Sequence, residues 1–262
     1  MSGSMIVFSG KGGSGKTTVA TLVLREILRS GGGPVLAVDA DPNSTFGVAL
    51  GLGVESTIAE LREDMGEAAR NPGEIPKDRL MEQWLAELLI EDRGFDLLTM
   101  GRPEGPKCYC YVNSLLRRYL QMLRGNYPYV IVDCEAGMEY LSRLTLDDVD
   151  TLVLVAEDTY VGLETARRIA GMADALPIDV HRRILAVNKV GAVERDAGPA
   201  GGALRSVPGV DDVIEIPYDR DLLERWSRGQ SLDDAAGPKA RSAIGQLARQ
   251  CLEPNNTKTH SI

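Results

Sequence analysis

Residues 10–18 read Gly-Lys-Gly-Gly-Ser-Gly-Lys-Thr-Thr, directly after the apolar run Met5–Phe8 and before a helical pattern. This stretch fits the phosphate-binding template G-x-x-x-x-G-K-[ST]. Its glycines allow the backbone to fold into a nest of inward-pointing N–H groups, and the positive end of the following helix faces the same spot. We therefore predict a triphosphate site, with Lys16 along the β- and γ-phosphates and the Thr17 hydroxyl on Mg²⁺. The loop residues predicted to bind nucleotide are Gly10, Lys11, Gly12, Gly13, Ser14, Gly15, Lys16, Thr17 and Thr18.

The charge balance of the chain narrows the classes of partner. Its 262 residues include 29 Lys and Arg against 38 Asp and Glu, which gives a formal net charge of −9 at pH 7. Non-specific binding to nucleic acid or to an anionic membrane surface requires a basic face. We therefore expect neither nucleic acid nor a membrane among the partners.

The cysteines and the absence of targeting signals favour a reducing compartment. No apolar run approaches the roughly 20 residues that span a bilayer, and the N-terminus shows no basic segment followed by an apolar one. Four cysteines in a chain of this length do not form a disulfide framework. We expect a cytoplasmic protein whose cysteines remain thiols, available for metal or redox chemistry. Residues 1–4, Met-Ser-Gly-Ser, are too few and too polar to contribute to the fold.

Apolar, β-branched runs alternate with helical patterns along the chain, which is typical of a doubly wound α/β fold. Runs such as Val130–Val132 and Leu152–Val155 are apolar on both faces, as strands between two helical layers must be. The predicted strands are Met5–Phe8, Val35–Val38, Phe95–Met100, Tyr129–Val132, Thr151–Ala156 and Arg183–Val187, and the predicted helices span residues 16–30, 77–92, 112–124, 163–175, 218–229 and 236–251. We predict a single P-loop NTPase domain over residues 5–252, with a mostly parallel sheet flanked by helices, and a flexible C-terminal tail over residues 253–262.

Acidic residues follow two of the predicted strands at their carboxyl ends. Asp39 and Asp41 come directly after Val35–Val38, and Asp133 follows a later strand. Ligands of open α/β sheets bind at this edge, beside the phosphate loop. Carboxylates at such positions also occur as plain helix caps, but two of these segments in this order after a phosphate loop favour a magnesium site. We predict that Asp133 holds Mg²⁺ together with Thr17, with Asp39 or Asp41 nearby.

These motifs together resemble the deviant Walker A class of P-loop ATPases, which includes MinD, ParA, the arsenite-pump ATPase and the nitrogenase iron protein. The resemblance rests on Lys11 within the loop, on Asp39–Pro42 and on Asp133 closing a late strand. It implies that Lys11 reaches across a dimer interface to the partner's nucleotide. ATP would then act as a clamp between two chains.

The resemblance also implies roles for individual residues. Lys11, Lys16 and Asp41 would be catalytic, with Asp41 positioning or activating the attacking water, and Asp39 would belong to switch I. Segments that resemble the adenine-binding regions of the class contain Asn188, Lys189, Pro217 and Tyr218. From the residues alone, Asn188-Lys189 is equally consistent with an ordinary strand exit.

Cys108 and Cys110 form a Cys-x-Cys pair that follows a segment containing Gly, Pro and Lys. In an extended, exposed loop, residues i and i+2 point to the same side, so both thiols reach one point. Two thiolates leave a soft divalent ion two ligands short of the usual four. A two-fold axis near the loop would supply two more from a second chain, so an ATP-clamped dimer predicts one shared metal site. The competing interpretation is that both cysteines are small residues packed beneath a helix.

A closer resemblance connects the cysteine pair to one class of metallochaperone. Together with this pair, the segments Asp133–Arg143 and Val149–Val155 look like those of CooC-type nickel-insertion ATPases, which mature carbon monoxide dehydrogenase. The resemblance implies a homodimer, promoted by nucleotide and metal, that binds one Ni²⁺ or Zn²⁺ between its subunits through Cys108 and Cys110. It implies further that Mg²⁺-dependent hydrolysis of ATP to ADP is coupled to nickel insertion into carbon monoxide dehydrogenase, the client.

Two other functions of the same class remain open at this point. A MinD- or ParA-like spatial organiser would act on a membrane or on DNA, and membrane binding needs a basic amphipathic C-terminal helix. Residues 238–251 contain three basic side chains but few large apolar ones. An electron-transfer ATPase like the nitrogenase iron protein would hold an iron–sulfur cluster through two cysteines per chain from separate segments, whereas Cys108 and Cys110 are adjacent at i and i+2.

Overall fold

The structure is a computed structural model that describes residues 3–61, 77–102, 109–136, 148–176, 178–192 and 207–253. Within these residues an eight-stranded sheet forms the centre of the fold. Its strands are β1 (Ser4–Gly10), β2 (Val35–Ala40), β3 (Ile90–Asp92), β4 (Phe95–Thr99), β5 (Tyr129–Cys134), β6 (Asp148–Glu157), β7 (Asp179–Val190) and β8 (Asp212–Pro217). In space their order is β3-β4-β2-β5-β1-β6-β7-β8, and every neighbouring pair is parallel except β3 and β4.

Helices cover both faces of the sheet. They are α1 (Lys16–Arg29), α2 (Thr45–Leu50), α3 (Lys77–Leu88), α4 (Tyr109–Leu123), α5 (Tyr160–Ala175), α6 (Arg220–Ser227) and α7 (Pro238–Leu252). Buried side chains of α1, α2, α6 and α7 belong to one apolar core, and those of α3, α4 and α5 belong to another. Two cores on opposite sides of one mostly parallel sheet are the arrangement of a doubly wound α/β fold, so the predicted fold class is confirmed.

The central strands are buried on both faces because their side chains are apolar at successive positions. In β1, Ile6, Val7 and Phe8 are all fully buried, with Val7 in one core and its two neighbours in the other. Burying a large apolar side chain stabilises the folded state by about 1.5–3 kcal/mol. Since these strands are parallel, the residues that follow β1, β2, β5, β7 and β8 lie at the same edge of the sheet.

The two outer strands, β3 and β8, are not predicted by the sequence patterns. The expectation of a helix over 77–92 is wrong at its end, because α3 ends at Leu88 and residues 90–92 pair antiparallel with β4. Two residues of β3 are exposed, and β8 alternates between more buried and more exposed residues. Edge strands are covered less completely than central ones, so neither has the two-faced apolar run that identifies the others.

Helix α7 packs its apolar face against the rest of the chain. Its side chains Ile244, Leu247 and Ala248 are buried in the core that includes α1. Among the described helices, none combines the length and the apolar character needed to cross a membrane. Residues 254–262, which make up most of the predicted tail, lie outside the described residues. The expectation that residues 1–4 do not contribute to the fold is wrong at Ser4, which begins β1 and whose N–H donates to the Pro128 carbonyl.

Candidate functional site

A cavity of about 440 Å³ lies at the carboxyl edge of the sheet, beside the loop between β1 and α1. This volume is typical of a small-molecule site. The predicted site residues that line it are Gly12, Gly13, Gly15, Lys16, Thr17, Thr18, Asp41, Asn188, Lys189, Pro217 and Tyr218. Gly10, Lys11 and Ser14 belong to the same loop, while Asp39 and Asp133 are buried at the ends of β2 and β5. The fold thus brings together residues from both halves of the chain.

Two side chains near the end of β7 hold the phosphate loop in place. The Asn188 Nδ2 group donates to the Ser14 carbonyl at 2.9 Å, and the Lys189 Nζ group donates to the Gly13 carbonyl at 2.9 Å. The Asn188 Oδ1 atom also accepts from the Lys189 backbone N–H. Support of the loop is a role for these residues that the sequence does not reveal, because the contacts join positions far apart in the chain.

Gly15 lies so close to Asn188 that no side chain fits between them. Its φ is 93°, in the left-handed region, and a Cβ atom added there would lie 2.4 Å from Asn188 Nδ2. A side chain at this position is therefore strained by the backbone and also displaces Asn188. We expect Gly15→Ala to lower the melting temperature by about 5–10 °C and to weaken binding of Mg·ADP at least about tenfold, as measured by thermal unfolding and calorimetric titration.

Gly12→Ala is the matched control for this prediction. A Cβ atom at Gly12 would meet only the Ala136 side chain, at 3.8 Å, which is an ordinary contact. Its melting temperature is expected to stay within about 2 °C of the wild-type value. Equal melting temperatures for the two variants would contradict the account of Gly15.

Thr17 and Asp133 fit the magnesium ion that the loop motif implies. The Thr17 hydroxyl donates to Asp133 Oδ2 at 2.6 Å, which joins the start of α1 to the end of β5. The other carboxylate oxygen, Oδ1, is buried and has no hydrogen-bond partner among the described residues. A carboxylate oxygen without a partner beside a hydroxyl oxygen forms the hard donor set that Mg²⁺ prefers.

Burial raises the pKa of two neighbouring carboxyls. The register of β2 and β5 places Asp39 opposite Asp133. Desolvation, followed by the charge of Asp133, raises the pKa of Asp39 to about 8, although the Phe46 N–H donates to it at 2.8 Å. Desolvation also raises the pKa of Asp133 to about 7, against the opposing hydrogen bond from Thr17 and the charge of Lys16. Two ionised carboxylates at this point repel one another, and a divalent cation would relieve that repulsion.

Asp41 lies on the cavity wall, where its side chain is oriented by a neighbour. Its Oδ1 atom accepts from both the backbone N–H and the Nδ2 group of Asn43, each at 2.8 Å. Lys16 is buried and donates to the Lys11 carbonyl at 3.3 Å, whereas the Lys11 residue is exposed. The catalytic roles of Asp41, Lys16 and Lys11 remain predictions, but the structure places all three around the same cavity and loop.

Helix α6 supplies an apolar wall that the sequence analysis does not assign to the site. Leu222, Leu223 and Trp226 line the cavity next to Pro217 and Tyr218, and Trp226 also packs against the core. Such a surface suits the flat, apolar faces of a nucleotide base. The sequence shows this pattern as three apolar residues, at 222, 223 and 226, that begin three positions after Asp219.

Asp219 holds this wall in position. It is the N-cap of α6, and its Oδ1 atom accepts from the Leu222 N–H while its Oδ2 atom accepts from the Gly237 N–H at 2.7 Å. Both carboxylate oxygens therefore accept hydrogen bonds from backbone N–H groups. We conclude that Asp219 orients α6 over the cavity through these contacts.

The predicted metal-binding cysteines lie at the limit of what the structure describes. Cys108 lies outside the described residues, and so does the side chain of Cys110. The backbone of α4 begins at Tyr109, three residues before the predicted start, so Cys110 lies in the first turn of a helix. The expectation of an extended loop is therefore wrong at Cys110. In the described part of the chain, no group of three or more His, Cys, Asp or Glu side chains is arranged to hold a metal ion.

Comparison with known protein families assigns the chain to a family. The model of the AAA_31 family, an AAA domain, matches residues 3–181. The chain belongs to this family of P-loop ATPases. The family assignment and the phosphate loop together identify the chain as an ATPase.

Two relatives are similar to this chain along most of its length. An uncharacterised ATP-binding protein of Methanocaldococcus jannaschii is 38% identical over 228 residues, which are 86% of this chain and 88% of that protein. The carbon monoxide dehydrogenase accessory protein CooC of Rhodospirillum rubrum is 32% identical over 262 residues, which cover 95% of this chain and 96% of CooC.

Solved structures of MinD and ParA proteins share the fold. A ParA family ATPase of Chlorobium tepidum superposes with a TM-score of 0.71 at 18% identity, and covers 94% of this chain and 98% of its own. MinD of Pyrococcus horikoshii, solved with Mg-ADP, superposes with a TM-score of 0.69 at 22% identity, and covers 97% of both chains. This chain thus has the fold of the MinD/ParA class.

Proposed function

We propose that this ATPase is a metallochaperone that couples ATP hydrolysis to nickel insertion into carbon monoxide dehydrogenase. The observation that carries the proposal is the 32% identity to CooC along almost the whole of both chains. MinD of Synechocystis, by comparison, is 23% identical over 241 residues that cover 80% of its length. The Cys108-x-Cys110 pair in this chain adds the chemistry that a nickel carrier requires.

The nucleotide site would work through the residues around the loop. Thr17 and Asp133 would hold Mg²⁺, which neutralises charge on the β- and γ-phosphate oxygens. Lys16 would lie along the same phosphates, and Asp41, oriented by Asn43, would position the attacking water. The exposed Lys11 would contact the nucleotide of a second chain, so that ATP holds two protomers together.

The nickel site would be shared between the protomers of this dimer. Because β4 and β5 are parallel, the crossover between them starts α4, and with it Cys110, at the carboxyl edge of the sheet. The nucleotide cavity lies at the same edge. A dimer closed over this edge would bring together Cys108 and Cys110 from two chains, and four thiolates complete the coordination of Ni²⁺ or Zn²⁺.

A MinD-like spatial organiser is the weaker alternative. Membrane binding through a C-terminal amphipathic helix requires an apolar face that is free to enter the bilayer. In α7 that face is occupied, because Ile244 and Leu247 are buried in the core that includes α1. ATP-dependent sedimentation of the protein with liposomes would revive this alternative.

The test of the proposal uses purified, nickel-deficient carbon monoxide dehydrogenase as the client. We expect nickel-loaded protein to restore CO oxidation with Mg·ATP and at least about tenfold less with a non-hydrolysable analogue, because hydrolysis opens the clamp and releases the metal. Lys11→Ala should lose the ATP-dependent part of this activation at least about tenfold, since a residue supplied across an interface stabilises the charge of phosphoryl transfer.

Lys239→Ala is the control for the loss of a lysine, since Lys239 is exposed on α7, outside the residues that line the cavity. It should activate the client as well as the wild-type protein does. Activation by free Ni²⁺ that equals activation by the loaded protein would overturn the proposed function.

A further inference from the structure

Lys189 has a backbone conformation that an ordinary lysine rarely adopts. Its φ is 60°, in the left-handed region, and it lies where the pairing of β7 with β8 shifts register between Val187 and Val190. Strained residues of this kind persist only where surrounding contacts hold them, and they are concentrated at functional sites. The contacts of Lys189 therefore indicate what the conformation serves.

The Lys189 ammonium group bridges two parts of the chain. It donates to the Gly13 carbonyl in the phosphate loop at 2.9 Å and to Glu157 Oε1 at 2.6 Å. Glu157 is the last residue of β6, and in the register of β6 and β7 it lies opposite Asn188. The carboxylate thus fixes the position of the ammonium group that holds the loop.

These contacts orient two successive peptide planes of the loop. Lys189 holds the Gly13 carbonyl, and the N–H of the same peptide, that of Ser14, donates to the Lys11 carbonyl at 3.2 Å. Asn188 holds the Ser14 carbonyl. A carbonyl and the N–H of the next residue point in opposite directions, so fixing the Gly13 and Ser14 carbonyls also fixes the directions of the Ser14 and Gly15 N–H groups in the phosphate loop.

We propose that Glu157 is a positioning residue of the nucleotide site, which acts through Lys189 to hold the phosphate loop in its binding shape. Glu157 does not line the cavity, and the loop motif does not include it. It differs from an ordinary surface acid because its partner also contacts the loop. The two side chains are about one-third exposed, at 32% for Glu157 and 38% for Lys189, so the effect of breaking the pair is moderate.

The direction of the change in nucleotide affinity distinguishes this proposal from a purely electrostatic effect of the Glu157 charge. Removal of a negative charge beside a site for a polyanion would by itself tighten nucleotide binding. Loss of the positioning contact would weaken it. We expect Glu157→Gln to raise the Kd for Mg·ADP about threefold to tenfold, and to raise KM for ATP by a similar factor while kcat stays within about twofold.

A double-mutant cycle with Lys189→Met tests whether the two residues act as a unit. The glutamine substitution should have little further effect once Lys189 is replaced, because its contact with the loop is already lost. Glu164→Gln, which removes an acid paired with Arg167 on α5, is the control and should bind Mg·ADP as the wild-type protein does. Calorimetric titration of the purified protein gives each Kd.

Unchanged or tighter binding by Glu157→Gln would overturn the proposal, as would losses that simply add in the double variant. Both measurements use the protein without nickel or client. Their failure would therefore leave the proposed metallochaperone function untouched, and failure of client activation would leave the role of Glu157 untouched.

Discussion

Replacing Asp133 by asparagine is expected to abolish ATP hydrolysis and, in the absence of nucleotide, to stabilise the protein. The loss of activity follows because an amide is a poor substitute for the anionic oxygen that would bind Mg²⁺. A metal ion stabilises the transition state by several kcal/mol, so the rate should fall about 1,000-fold or more. The gain in stability follows because a buried carboxylate whose Oδ1 atom has no hydrogen-bond partner among the described residues costs more than a buried amide.

The raised pKa values of Asp39 and Asp133 determine how the stability of the protein changes with pH. In the folded protein the pKa values of Asp39 and Asp133 are raised from 3.8 to about 8 and about 7. Between pH 4 and pH 8 the folded state therefore binds more protons at these groups than the unfolded state does. Their contribution to stability is greatest below about pH 4 and is lost as the pH rises through about 7–8. Asp133→Asn should make this decline shallower.

Thermal unfolding at pH 5 and pH 8, with Mg·ATP hydrolysis assayed in parallel, measures both effects. At pH 8 we expect the melting temperature of Asp133→Asn to lie about 3 °C or more above the wild-type value. Asp92→Asn removes an exposed acid from β3 and should change neither hydrolysis nor stability. Hydrolysis near the wild-type rate in Asp133→Asn, or a lower melting temperature at pH 8, would show that Asp133 does not have this role.

Replacing Cys108 and Cys110 together by alanine is expected to remove nickel binding while leaving ATP hydrolysis within about twofold of wild type. Each chain offers two thiolates in this pair, and a dimer offers four. Without them a soft divalent ion has no set of thiolate ligands at the interface. Cys134 and Cys251 do not replace them, because both are buried and burial raises the pKa of each thiol.

The matched control for this prediction is Cys251→Ala, which removes a buried thiol from α7. It should retain the full nickel content, although its stability will fall because a core side chain becomes smaller. If this variant retains nickel and the double variant loses it, the loss results from removing Cys108 and Cys110 in particular and not from replacing any cysteine.

The sequence predicts the fold well, and it locates the loop between β1 and α1, because both depend on local signals. The loop at 10–18 is a contiguous motif, and strands such as β1 and β5 are apolar on both faces, which a sequence shows directly. Asp133 could be placed because a parallel sheet brings the ends of its strands to one edge. Its partnership with Thr17 then followed from the loop motif.

Contacts between distant segments could not be predicted in the same way. Asn188 and Lys189 support the loop, and Glu157 holds Lys189, but nothing at these three positions signals a partner far away in sequence. The start of α4 was misplaced because the apolar periodicity becomes clear only after Cys110. Edge strand β3 is too short and too exposed to show a pattern.

The proposed function requires that two ATP-clamped chains share one nickel ion through Cys108 and Cys110. The measurement that tests it most directly is the nickel content per chain, with the molecular mass determined in the same sample by light scattering, in the presence of Mg²⁺ and ATP. We expect one Ni²⁺ per two chains in a dimer, and none in the Cys108→Ala, Cys110→Ala double variant. Nickel bound to monomers at one ion per chain, or retained in full by the double variant, would contradict it.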